Sequence, residues 1–279
     1  MRQRSIYAAL ISLTLAFTQQ PTSHAAQTIN LIVAMEHDTG YERTLFKHWV
    51  DADHDGCNTR KEVLQQEALT QPTKTGTCTL TGGKWLSPYD NVIYYDQAKL
   101  DIDHLVPLSE AWKSGAWRWT PQQRENYAND LQDPRALIAV TGSLNRQKSD
   151  SDIAHWLPPI NTCTYVTNYI AIKIRYQLSF DPLEAKTAEN FINTCPIKQL
   201  SVDILPGYTN PDDTTTTKVT LEQGLKPKTT PQTSAAPNPF QPLGATARCK
   251  DGTYSYSTTH TGTCSRHGGV QNWIKPLPK

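Results

Sequence analysis

The sequence predicts an α+β fold, with helices around a small sheet, followed by an extended linker and a small disulfide-bounded module. Three observations predict it. Within residues 27–203, apolar residues recur at helical spacing in several segments. Short β-branched and aromatic runs bounded by turn residues lie between them. From residue 204 the composition shifts to Pro, Thr and Ser, as in "TNPDDTTTTKVT" and "LKPKTTPQTSAAPNPFQP", which bury little apolar surface.

In chain order, Arg2 and Arg4 precede the uncharged run Ile6 to Phe17 and the small residues Ser23-His24-Ala25-Ala26. This is the pattern of a secretory signal peptide over residues 1–26, cut after Ala25 or Ala26 and too short to stay as a membrane span. The mature chain is expected to be exported, periplasmic or extracellular, soluble and monomeric. Tyr41, Leu45, Phe46 and Trp49 fit one helix face. Tyr165, Tyr169, Ile172 and Tyr176 fit a second, and Leu183, Ala188, Phe191 and Ile192 a third. The runs "NVIYYD", "LDIDHLV" and "ALIAV" read as strands, and Gly82-Gly83 as a turn. Residues 204–247 are the linker and residues 248–279 the module, within which lies "CKDGTYSYSTTHTGTC".

Cys57, Cys78, Cys163, Cys195, Cys249 and Cys264 fall as three sequential local pairs. An even count in an exported chain reads as disulfides, although six cysteines allow 15 pairings; the sequential set is the expected one. Cys249, His260, Cys264 and His267 also have the chemistry of a zinc set, against which the oxidising compartment favours a Cys249–Cys264 bond. Without Arg2 and Arg4 the chain carries 25 basic and 26 acidic side chains. Residues 27–203 hold 17 basic against 22 acidic, and residues 248–279 five against one. The main region therefore has no basic blanket for gripping nucleic acid; any such role must rest on a local site.

The segment "LDIDHLVPLSEAW" sets Asp101, Asp103 and His104 among apolar residues of a strand, where charge is costly unless paired or bound to metal. A helical insertion follows, then "ALIAV" and "TGSLNRQKSDSD". Strand, connection, strand and helix, with Asp-His on the first strand and Asn145 near the helix, is the order of a ββα-metal finger. "DIDHLVPL" with "NRQKSD" resembles the HNH nuclease superfamily, including the HNH domain of CRISPR effector nucleases. The ordered blocks "DADHDGCNTRKEVL", "CTLTGGKW", "DIDHLVPLSEAWKSGAW", "YANDL" and "NRQKSDSDIAHWLPP" resemble secreted HNH endonucleases related to the C-terminal domain of GmrSD-type restriction endonucleases, over residues 29–195.

The resemblance implies a metal-dependent endonuclease acting on DNA, with RNA as a second candidate, at low sequence specificity. His104 is then the general base, an imidazole neutral near pH 7 because its ordinary pKa is about 6.5. Asp103 and Asn145 are the metal ligands, leaving positions open for water and substrate, as suits Mg²⁺ with Mn²⁺ as the alternative. Arg146, Lys148 and Arg60 are candidate phosphate contacts, and Asp101 supports Asp103 from behind. One difficulty is geometric: strand neighbours diverge, so Asp103 and His104 meet only if the pleat breaks, and Pro107 is the place for it. The chain also carries Ala136 where many HNH motifs have Asn, and Ser143 where an acid can stand.

Asp51, Asp53, Asp55, Gly56 and Glu62 satisfy the EF-hand spacing D-x-D-x-D-G-x5-E, a candidate structural Ca²⁺ loop. Asn58 at the usual apolar position argues against it, and the alternative is a solvated acidic turn. Trp112, Trp117 and Trp119 fit packing of the insertion better than base stacking. The basic module and its linker suggest tethering to nucleic acid or envelope polymer. The opposing class is a non-enzymatic calcium-binding envelope or matrix protein.

Overall fold

The computed structural model describes residues 27–196, 200–208, 216–221, 246–250, 254–255, 260, 263–265 and 268–273. The expected signal peptide lies outside them. The main body runs β1 (Gln27–Ile32), α1 (Thr59–Gln66), β2 (Thr73–Thr75), β3 (Thr79–Thr81), β4 (Trp85–Leu86), β5 (Ile93–Tyr94) and β6 (Leu100–His104). It continues with α2 (Leu108–Lys113), α3 (Pro121–Ala128), β7 (Leu137–Thr141), α4 (Gly142–Lys148), α5 (Thr162–Arg175) and α6 (Pro182–Thr194). Then come β8 (Thr216–Leu221), β9 (Ala247–Cys249), β10 (Tyr254–Ser255) and β11 (Val270–Trp273). The architecture is α+β: helices around small antiparallel sheets, with β6 paired to β7 and β1 to β8.

Local chemistry accounts for the helices. Thr120 with Gln123 and Asp181 with Glu184 form capping boxes, each followed by a proline in the first helical turn, and start α3 and α6. Cys163–Cys195 joins the start of α5 to the residue after α6, holding the two as an antiparallel pair. The Lys173 ammonium of α5 bonds Glu110 of α2 at 2.7 Å and Glu184 of α6, all three fully buried, and so fixes the three helices in register.

Two apolar clusters flank the antiparallel β6–β7 pair. The larger gathers Val106, which lies between β6 and α2, with Trp112, Tyr127, Val140, Tyr169 and Phe191 from α2, α3, β7, α5 and α6. The smaller packs Val63 and Leu64 of α1 with Leu80, Trp85, Leu100, Ile102, Leu137 and Ala139. Alternation does this: Leu100 and Ile102 turn to α1, while Asp101 and Asp103 turn to α4.

The structure corrects one expectation. The helix read over Tyr41 to Trp49 is only a 3₁₀ turn, Arg43–Leu45. Its aromatics do not share one face: Phe46 and Tyr41 pack on Trp112, whereas Trp49 adopts φ 61° and lies against His104. The packed body also runs past residue 203. Leu205 N donates to the Arg175 carbonyl at 2.9 Å, and the Tyr208 ring lies 4.8 Å from Trp119 and 5.0 Å from Tyr176. Thr216–Leu221 then pairs along the whole of β1. The Pro/Thr-rich composition hides an aromatic anchor and one β-branched strand.

Candidate active site

The site begins on β6. Its ladder to β7 stays regular through Asp103↔Ile138 and His104↔Leu137, and Leu105 N still donates to the Ala136 carbonyl at 3.1 Å. The expected break in the pleat does not occur. Asp103 and His104 therefore point to opposite faces, because neighbours in an unbroken strand must. Ala136 stands immediately before β7, as the register required.

On one face, Asp103 is 5% exposed and Lys148 is 0% exposed. Lys148 Nζ donates to Asp103 Oδ1 at 2.8 Å, to Oδ2 at 2.6 Å and to the His104 carbonyl at 2.9 Å. Tyr89 Oη donates to Asp103 Oδ2. Burial pushes the Asp103 carboxyl up and the Lys148 ammonium down, and each opposes the other's shift. Lys148 is thus the buried counter-ion of Asp103, not a solvent-facing phosphate contact; α4 ends at this residue and carries it inward. Arg146, one helical face away, is 70% exposed and bonds Asp101 at 3.1 Å. Asn145 is half-buried, and its amide takes no hydrogen bond from the described residues.

On the other face, His104 Nε2 lies 2.9 Å from the Ala128 carbonyl. A carbonyl only accepts, so Nε2 carries the proton and the free lone pair falls on Nδ1. Burial pushes the ring's pKa down to about 3, and it is 7% exposed. Trp49 lies against it with ring centroids 5.4 Å apart, and His48 at 6.4 Å.

Residues 59–186 match the family described as GmrSD restriction endonucleases, C-terminal domain. An uncharacterized secreted protein of Arthroderma benhamiae is 43% identical over 158 residues, which cover 56% of this chain and 76% of that one. The chain belongs to the GmrSD C-terminal domain family. Residues 242–274 match a domain of unknown function (DUF3761). No solved structure matches the chain.

In this member of the GmrSD C-terminal domain family, the block "YANDL" supplies the parts that the sequence reading left without a role. Tyr127 Oη donates to the Val106 carbonyl at 2.6 Å, and Ala128 provides the acceptor for His104. Asn129 receives Val50 N at 3.1 Å and Thr59 Oγ1 at 2.8 Å, and donates to the Lys47 carbonyl at 2.8 Å. It thereby ties the segment bearing His48 and Trp49 to the carbonyl that orients His104. Tyr89, His48 and Trp49 were also missed, because only tertiary packing brings them to β6. Arg60 donates to the Leu100 carbonyl at 2.8 Å, so it braces α1 against β6.

The acidic loop is closed at both ends. Thr59 N donates to the Val50 carbonyl at 2.8 Å, and Cys57–Cys78 bonds the loop to the β2–β3 hairpin. Gly56 has φ +88°, and a Cβ there would meet the Thr77 carbonyl oxygen at 2.6 Å, so only glycine fits. Carboxylate oxygens of Asp51, Asp53 and Asp55 lie within 4.8 Å of one another. Asp51 Oδ1 and Glu62 Oε2 are buried without a hydrogen-bond partner. Burial, then the charges of Asp53, Asp55 and Asp51, push the Glu62 carboxyl up. The Asp55–Lys74 pair, 2.8 Å, is the one cation pair of this loop among the described residues.

In the C-terminal module, β9 lies between β10 and β11, and Cys249–Cys264 is a disulfide. Both sulfurs are engaged in that bond, which removes them from a zinc set. All three sequential disulfides are present.

Proposed function

We propose that the protein is an exported, metal-dependent HNH-type endonuclease that hydrolyses phosphodiester bonds of DNA, and of RNA as a second substrate, with little sequence specificity. One observation carries the reading: His104 is a neutral imidazole whose Nε2–H is fixed on the Ala128 carbonyl, inside the stretch that matches the family. A fixed tautomer presents Nδ1 as proton acceptor for water, whose oxygen attacks phosphorus as the P–O bond to the leaving oxygen breaks. Arg146, exposed and steadied by Asp101, is the phosphate contact. The divalent cation that the family implies, Mg²⁺ or Mn²⁺, would supply positive charge to the phosphoryl oxygens. Asp103 in this arrangement does not fit it, because both carboxylate oxygens already hold Lys148.

Export is supported by three disulfides, by the relative's description as secreted, and by the absence among the described residues of any helix long and apolar enough to cross a membrane. A structural Ca²⁺ in the Asp51–Glu62 loop is proposed beside the nuclease activity, supported by the two buried oxygens that lack partners. The basic C-terminal module is proposed as a tether to nucleic acid or envelope polymer. Purified mature protein is expected to nick plasmid DNA and to stop on addition of EDTA. No cleavage at any divalent cation would leave the calcium-binding matrix reading in its place.

A further inference from the structure

We infer that His48 is the general acid of the proposed cleavage: it gives its Nε2 proton to the leaving oxygen while His104 Nδ1 takes a proton from the attacking water. The inference deepens the nuclease reading and rests on it. In an in-line displacement the attacking and leaving oxygens stand on opposite sides of phosphorus, and each is served by its own proton carrier. His104 does not serve both, because its Nε2–H is committed to the Ala128 carbonyl at 2.9 Å and only Nδ1 is left. The charged side chains that bear most on His104 are Arg43, His48 and Lys148. Lys148 is closed on Asp103 and the His104 carbonyl. A guanidinium, with a pKa above about 12, holds its proton too firmly for efficient transfer near neutral pH, whereas an imidazole is suited to it.

The geometry sets His48 up for this task. Its Nδ1 lies 2.8 Å from the Phe46 carbonyl, which only accepts, so Nδ1 carries a proton whether the ring is charged or neutral. The proton that comes and goes is therefore the one on Nε2, at the far end of a half-buried ring, and Nε2 makes no hydrogen bond among the described residues. The His48 and His104 ring centroids are 6.4 Å apart, too far for the rings to bond each other and near enough to serve one phosphate. One dipeptide holds both rings. The Ala128 carbonyl fixes His104, while Asn129 donates to the Lys47 carbonyl at 2.8 Å and receives Val50 N at 3.1 Å, with His48 and Trp49 between those two bonds. Trp49 has φ 61°, in the left-handed region that a bulky side chain rarely adopts. Neighbours on an extended chain diverge; this turn brings the rings of both His48 and Trp49 to His104. Such strain persists only where the surroundings hold it, as Asn129 does here, and it gathers at functional sites. In the step, the water oxygen bonds phosphorus and the bridging P–O bond breaks. One proton leaves His48 and one arrives on His104, and exchange with solvent resets both rings. The anionic phosphodiester favours the imidazolium that donates.

The test replaces the leaving atom. Two single DNA strands each carry one bridging sulfur at a central linkage, at the 5′ position in one and the 3′ position in the other. A thiolate leaves without a proton, since a thiol has a pKa of about 8.5. Purified mature wild type, His48→Asn, His48→Gln and His104→Ala are given both strands with Mg²⁺, and cutting at sulfur and oxygen linkages is compared within each strand. The asparagine amide keeps a donor for the Phe46 carbonyl, the glutamine keeps the length of the side chain, and whichever folds decides the result. The His48 variant is expected to lose about 10²–10⁴-fold at oxygen linkages and less than about tenfold at the sulfur linkage of one strand. His104→Ala is expected to lose alike at both. The ratio within a strand does not depend on how much of a variant is folded. Wild-type cutting of oxygen linkages by the His48 variant, or an equal loss at oxygen and sulfur in both strands, overturns the inference and leaves the nuclease reading standing. A wild-type protein that cuts no linkage removes the nuclease reading itself, and the inference with it.

Discussion

Asp103 and His104 are chain neighbours on opposite faces of one strand, so truncating them is expected to have different consequences. In the proposed mechanism His104→Ala removes the proton acceptor, and it is expected to lose about 10²–10⁴-fold in turnover, with the far-ultraviolet circular dichroism retained. A plasmid-nicking assay reads it, and a wild-type rate would remove His104 from the mechanism. Asp103→Ala leaves the Lys148 ammonium buried with no counter-ion. Breaking a buried pair in this way costs about 3–5 kcal/mol, so its urea midpoint is expected to fall sharply while His104→Ala moves it less. Equal midpoints would mean that the Asp103–Lys148 pair is not the structural join described above.

At the scale of elements, α1 meets β7 through Glu67, whose carboxylate accepts Ala139 N at 2.7 Å. Burial pushes the Glu67 carboxyl up to about 7 from 4.5. The folded chain therefore holds a proton that the unfolded chain has already lost, and this group's stabilisation is full below about pH 4.5 and lost as pH rises through about 7. Glu67→Gln keeps an acceptor and removes the charge. Its melting temperature is expected to exceed wild type by a few degrees at about pH 8 and to converge with it near pH 4.5, at about 2–4 °C per kcal/mol. The disulfides act on the same scale. Cys163–Cys195 staples α5 to α6, and Cys57–Cys78 staples the acidic loop to its hairpin. Losing one is expected to cost about 2–5 kcal/mol, visible as a lower melting temperature of the Cys163→Ser/Cys195→Ser variant; an unchanged one would show the helix pair holding without the bond.

For the whole molecule, the relevant boundary is where packing ends. A chain stopped after residue 203 loses Tyr208 from its cluster with Trp119 and Tyr176, and loses the strand that pairs β1. A chain stopped after residue 221 keeps both. The longer truncate is expected to melt with the full-length protein and to cut DNA, and the shorter one to melt lower, as scanning calorimetry would read. Identical melting would mean that β8 and Tyr208 add nothing to the body.

Much of this protein was legible in its sequence because the signals are local. Helical periodicity marked α5 and α6, short apolar runs marked β6 and β7, and close chain spacing favoured the three disulfides. The strand that carries Asp103 and His104, the second strand and the helix that carries Asn145 follow one another in the chain as the sequence suggested. What the sequence could not carry were contacts between segments distant in the chain. Whether a lysine on an amphipathic turn faces water or a carboxylate depends on which side of α4 meets β6, and no pattern within seven residues encodes that. The same holds for Tyr89 on Asp103, for Ala128 and Trp49 on His104, and for Tyr208 on Trp119. Backbone hydrogen bonding and side-chain periodicity decide the elements from short range; burial of charge is decided only when two elements close on each other, and here that closure gave Asp103 its ammonium and His104 its fixed proton.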